Sequence, residues 1–208
     1  MIDLSRPLSL KRAFGFPIQH RLARREVLIG ACWLLVPLVG WLLNMGHRIV
    51  LVHRMQHDQT IWPAWHDYRM LLRHGLITFG GMLYYYTPSV LLAVGGWLWS
   101  MPWLWPFAAV LAGIATLAIP GFMTHYCLCF DPREIYNPLR VLRRVRQGGR
   151  AYWHAWGIAL CALGLSFLGL LLFGLGFLLA SVWFWQVAGF SFATVFSRQQ
   201  GGLPQTGQ

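Results

Sequence analysis

Residues 84–100, 103–124 and 155–197 of this chain contain no Asp, Glu, Lys or Arg. A helix needs about 20 apolar residues to cross the hydrocarbon core of a bilayer. Uncharged runs of this length would aggregate in water, so lipid must be their solvent. The expected fold is an all-α, polytopic integral membrane protein.

Charged residues make up 11% of the chain, against about 25% in soluble domains. Twelve Trp, thirteen Phe and seven Tyr suit interfacial belts and tight packing within the membrane. The net charge of +11 sits in residues 1–26, 46–75 and 123–155 and at Arg198, always outside the apolar runs. Basic segments beside apolar helices belong on the anionic, cytoplasmic leaflet, and they need no nucleic-acid partner. The four cysteines give no extracellular disulfide framework. Cys32 and Cys161 fall in apolar runs, where a thiol acts as a small hydrophobe. Cys127 and Cys129 are too close for the usual structural zinc pair.

Residues 1–26 read as a basic cytoplasmic arm, with Arg21, Arg24 and Arg25 just before the bilayer. The first apolar run starts near Val27, after six basic residues, and no small-residue cleavage site follows it. The N-terminus is therefore expected to stay attached and cytoplasmic. Residues 27–45 are barely long enough to span, and they carry Pro37, which kinks a helix, and Gly40. Residues 76–100 and 103–122 read as good spans joined by a tight turn at Met101-Pro102. Trp97, Trp99, Trp103 and Trp105 put that turn at headgroup level.

Asp131-Pro132-Arg133-Glu134 carries the signals of a helix start: an Asp cap, Pro at the first position and Glu at the third. The helix over 132–147 is expected to place Ile135, Leu139, Leu142 and Val145 on one side. Arg133, Arg140, Arg143 and Arg144 then fall on the other, the pattern of an interfacial amphipathic helix. Residues 156–197 would measure about 63 Å as one helix, so a hairpin turning near Gly174 and Gly176 is expected.

Five full spans would leave the arginine-rich helix facing outward. If residues 27–45 instead enter and leave on one side, every basic segment becomes cytoplasmic, as the positive-inside rule favours. The expected architecture is four spanning helices plus a Pro/Gly-kinked re-entrant or fifth helix, with cytoplasmic interfacial amphipathic helices. Residues 27–198 form a single membrane domain placed in the inner (plasma) membrane, and 199–208 read as a disordered tail.

From Met45 onward, several motifs form a pattern. They are Gly46-His47-Arg48, Pro63-Ala64-Trp65-His66-Asp67-Tyr68, Leu71-Leu72-Arg73-His74-Gly75-Leu76 and Tyr86-Thr87-Pro88, followed by the 130–144 helix and Tyr152-Trp153. Over residues 27–198 the chain resembles an uncharacterised prokaryotic membrane family, domain of unknown function 4013. Pro-x-Trp-x-Asp is the most specific part, and Ala64 stands where that family often has an acidic residue. The resemblance implies a polytopic fold and brings no assigned activity.

His53 and His57 share a helical face at a spacing that can seat a metal. A di-iron membrane enzyme would want several such boxes and more carboxylates than Asp58 and Asp67. The plainer reading is a pair of polar histidines at an anionic interface. Trp62, Trp65 and Asp67 form the densest signal outside the spans, with Thr60 as cap of a short interfacial helix. They read as a membrane-plane anchor or as a docking surface. No carboxylate, Lys or Arg falls inside the spans, which counts against a monomeric ion-coupled transporter.

The leading expectation is a non-enzymatic scaffold or accessory protein without a cofactor. Arg140, Arg143, Arg144 and Arg150 would bind anionic headgroups or a membrane partner, with Trp62, Trp65 and Asp67 as the anchor. Two alternatives remain: an oligomeric small transporter or channel subunit using breaks at Pro37, Pro88 and Pro120, and a histidine-metal membrane enzyme. Small residues at Ala108, Ala112 and Thr116 and at Gly189 and Ala193 suit close helix packing or a homo-oligomer.

Overall fold

A computed structural model describes residue 4, residues 6–171 and residues 174–201, with side chains to Ser197. Among these, the helices in chain order are α1 (Leu10–Gly15), α2 (Arg21–Leu34), α3 (Val39–Gln56), α4 (Tyr68–Leu98), α5 (Leu104–Cys129), α6 (Pro138–Leu168) and α7 (Leu175–Gly201). The part of the expected tail at 202–208 lies outside the described residues.

Helices α2 to α7 run alternately up and down. Asn44 Nδ2 of α3 donates to Gly30 O of α2 at 3.0 Å. Ser89 Oγ of α4 donates to Ala108 O of α5 at 2.7 Å, and His74 Nδ1 meets the Tyr126 hydroxyl at 2.7 Å. Tyr152 packs on Phe192, and Phe167 on Phe177, between α6 and α7. Helix α7 also packs on α2, where Val182 meets Val27 and Ala31. The starts of α2, α4 and α6 therefore share one end with the ends of α3, α5 and α7. Every basic segment lies at this end or on the arm leading to it. The far turns, at 35–38, 99–103 and 169–171, carry no charge.

Among the described residues, four helices are long and apolar enough to cross a membrane: α4, α5, α6 with the three-ten turn that ends it, and α7. Their outer faces expose large apolar side chains such as Leu91, Trp97, Val110 and Leu171. Such a surface suits hydrocarbon and would be an aggregation liability in water. The chain is a multi-pass membrane protein. Helices α2 and α3, of 14 and 18 residues, are about 21 and 27 Å long, both short of a bilayer core of about 30 Å.

Helix α3 buries 13 of its 18 residues and is packed all round. A Cβ at Gly46 would lie 1.8 Å from Leu71 O, and one at Gly75 would lie 2.0 Å from Leu42 O. These two glycines let α3 and α4 touch backbone to backbone. The N-terminal arm is packed as well. Phe16 stacks on Phe190, and Trp183 Nε1 donates to Phe14 O at 3.2 Å.

Three local expectations change. Residues 58–67 form a loop instead of a Thr60-capped helix, and Asp67 caps α4 by accepting from Met70 N at 2.9 Å. Asp131 caps only the three-ten turn Pro132–Glu134. The long helix restarts at Pro138, capped by Asn137 Oδ1, because a residue before proline is pushed out of the helical region. Gly149, at φ 51°, then bends Pro138–Gly148 away from the span, a conformation that suits glycine. The return from α6 to α7 falls at Gly169–Leu171 and Gly174.

Candidate functional site

The arginine face of α6 is smaller and differently arranged than the sequence suggests. Val141 and Gly148 are buried, and Gly121 of α5 faces Val141 and Val145. Leu139 and Leu142 are exposed beside Arg143 and Arg146 rather than opposite them. The restart at Asn137 shifts the helical phase, and Ile135 becomes part of the core under α4.

Glu134 holds two of the four expected arginines. Arg140 Nη1 and Arg144 Nη2 each donate to one of its carboxylate oxygens at 2.6 Å. Arg143, Arg146 and Arg150 are exposed. Burial pushes the Glu134 carboxyl up, but the Arg144 hydrogen bond and the charges of Arg144 and Arg140 outweigh it. The net result is below the ordinary glutamate value. A depressed folded-state value means stability that is present above the unfolded value and lost as pH falls through the folded one. Glu134→Gln is therefore expected to release Arg140 and Arg144 and to raise anionic-lipid retention at neutral pH. Acidification should do the same in the wild type only. Lipid counting by native mass spectrometry checks both, and equal retention by variant and wild type would refute the masking role.

The aromatic anchor divides. Trp65 is a core residue that stacks on His47 at 4.3 Å and donates Nε1–H to Glu26 O at 3.0 Å. Trp62 is half-buried between Phe16 and His20. Asp67 is exposed at the mouth of a hollow of about 670 Å³ lined by Arg69, Arg73, His74 and Tyr126. Arg69 and Arg73 are exposed one helical turn apart, so their charges face the same hollow.

Sequence reasoning missed two residues. Glu26, counted with the basic arm, is buried. Its carboxylate accepts from Ala64 N at 3.2 Å and meets His47 Nε2 at 2.6 Å. Burial pulls the His47 imidazole down, against the opposing pull of Glu26. Arg48, assigned to a basic inter-span segment, is 8% exposed. Its Nη2 lies 3.0 Å from Met123 Sδ, and its Cζ lies 4.4 Å from the Trp185 ring. The signal in the sequence was one acid inside an arginine cluster and two basic residues inside the apolar run 45–52.

The histidine pair is tied up by backbone. His53 Nδ1 bonds to Cys127 O at 2.6 Å, and His57 Nδ1 bonds to His53 O at 2.8 Å. Burial lowers the His53 imidazole; the Cys127 hydrogen bond opposes this, and His57 and Arg54 add to it. Among the described residues, no three His, Cys, Asp or Glu side chains gather in a way that could hold a metal. Helices α4 and α5 run through Pro88 and Pro120 unbroken.

Among the described residues, the geometry therefore offers a basic end with exposed arginines, a buried Glu26–His47 hydrogen bond and a buried arginine, Arg48. No family model, curated protein or solved structure matches the chain.

Proposed function

We propose that this chain is a non-enzymatic membrane scaffold or accessory protein that binds anionic headgroups at its basic end. The observation that carries this reading is the gathering of Arg69, Arg73, Arg143, Arg146 and Arg150 at one end of the bundle, all of them exposed. Arginine suits phosphate through its planar fork of donors, and anionic leaflets attract basic juxtamembrane segments by about 1 kcal/mol per residue. Exposed Leu139 and Leu142 beside these charges fit the acyl boundary just below the headgroups.

On this reading the basic end is cytoplasmic, the membrane is the inner one and the N-terminus is inside. The α2–α3 hairpin enters and leaves by the same face. Its short helices and its exposed apolar tip, Leu35, Val36, Leu38 and Val39, support that. The unbroken course of α4 and α5 gives the oligomeric transporter no specific support.

Full-length protein in nanodiscs of phosphatidylglycerol and phosphatidylcholine tests the proposal. The triple variant Arg143→Gln, Arg146→Gln, Arg150→Gln is expected to retain several-fold less phosphatidylglycerol by native mass spectrometry. Unchanged retention would sink it. The same spectra report whether a second protein or a second copy travels with the chain.

A further inference from the structure

Arg48 is the buried charge that the surface reading leaves unused. It projects from α3 into a cavity of about 290 Å³ bounded by α3, α4, α5, α6 and α7. The lining is almost entirely apolar, with Met82, Ile119, Leu163, Phe184 and Phe192 among it. The volume is at the small end of the range, roughly 300–1,000 Å³, in which proteins hold organic ligands.

The surroundings of Arg48 point to an anionic occupant. Among the described residues no carboxylate pairs with Arg48; its neighbours are the Met123 sulfur and the face of Trp185. Arginine does not give up its proton in proteins, and a buried charge without a partner carries a large desolvation penalty. The hydroxyls of the lining are self-satisfied, Thr124 Oγ1 donating to Pro120 O at 2.7 Å. Thr116 Oγ1 donates to Ala112 O, which leaves the Tyr86 hydroxyl to donate to Thr116 Oγ1 at 2.7 Å.

A bare inorganic anion would gain Arg48 and lose its hydration against apolar walls. Neutral hydrocarbon would fill the walls and leave Arg48 unpaired. We propose that the cavity binds one single-chain anionic amphiphile, its carboxylate or phosphate on Arg48 and its alkyl chain along Met82, Ile119, Leu163, Phe184 and Phe192. The volume, about 290 Å³, is on the order of a single alkyl chain. This site is separate from the surface arginines and does not rest on their role.

The full-length protein in detergent is titrated with four probes: palmitate, palmitoyl-lysophosphatidate, palmityl alcohol and inorganic phosphate. Stoichiometry is read by native mass spectrometry and stabilisation by thermal melting. One or both anionic amphiphiles should bind one to one and raise the melting temperature, and the better of them names the headgroup. The alcohol and inorganic phosphate should bind at least tenfold more weakly. Arg48→Gln should lose at least tenfold in affinity while the unliganded protein melts no lower, since an uncompensated charge is gone. Leu163→Trp keeps the charge, fills the chain site and should also lose binding. The pair Arg143→Gln, Arg150→Gln should bind as the wild type does. Equal binding by Arg48→Gln, equal affinity for inorganic phosphate, or a loss that follows Arg143 and Arg150 instead would each overturn the assignment.

Discussion

Glu26→Ala is expected to cost about 2–6 kcal/mol, because it leaves two buried donors without an acceptor at about 1–3 kcal/mol each. A loss of that size should lower the melting temperature in detergent by roughly 10 °C. The Glu26 and His47 side chains are 4% and 2% exposed, so water cannot replace the lost carboxylate. Three donors depend on this residue or its position: His47 Nε2–H, Ala64 N–H and, through the Glu26 carbonyl, Trp65 Nε1–H. The first two lose their acceptor outright, and an orphaned buried donor costs about 1–3 kcal/mol. Pairing Glu26→Leu with His47→Phe should cost less than Glu26→Ala alone, because only Ala64 N–H is then left without an acceptor. If the single variant melts with the wild type, the pair does not hold α2, α3 and the 58–67 loop together.

The second large effect is steric. Gly46→Ala and Gly75→Ala each place a methyl group within about 2 Å of a backbone oxygen. A backbone oxygen cannot swing aside as a side-chain tip can, so α3 and α4 must separate. Overpacking costs typically about 1–3 kcal/mol and occasionally more. Here the upper end is expected, because helices in lipid are held by close packing with no water-driven term between them. Gly113, Gly157 and Gly164 supply the control, since a Cβ at each meets nothing within 4 Å. Alanine there should be neutral or stabilising by up to about 1 kcal/mol through helix propensity. Melting curves of the five single variants decide it; if Gly46→Ala melts with Gly113→Ala, the tight crossing does not hold.

These two features differ in how far the sequence announced them. The spans were readable because the absence of charge over residues 84–100, 103–124 and 155–197 is a property of each run by itself. The placing of the basic segments on one side came instead from the positive-inside rule applied to the whole chain. The Glu26–His47 pair was not readable, since its burial exists only once α2 folds back on α3 at residues 35–38. Arg48 looked like one more basic residue because nothing local distinguishes an arginine facing a headgroup from one facing Trp185. The arginine face of α6 was misdrawn for a local reason that the sequence does carry. Asn137-Pro138 is a better helix start than Asp131-Pro132 because the helix that follows it continues.

The packing of the first residues on the last helix sets an order of events during synthesis. Phe14, Phe16, Val27 and Ala31 all meet α7, which leaves the ribosome after α1 to α6. Until then the early hairpin has no wall on that side, and Trp185 is not yet there to cover Arg48. The nascent chain must therefore carry an unfinished, partly polar hairpin through the insertion of three further helices. A chain stopped short of α7 is expected to lack the wall that covers Arg48 and the partners of Val27 and Ala31.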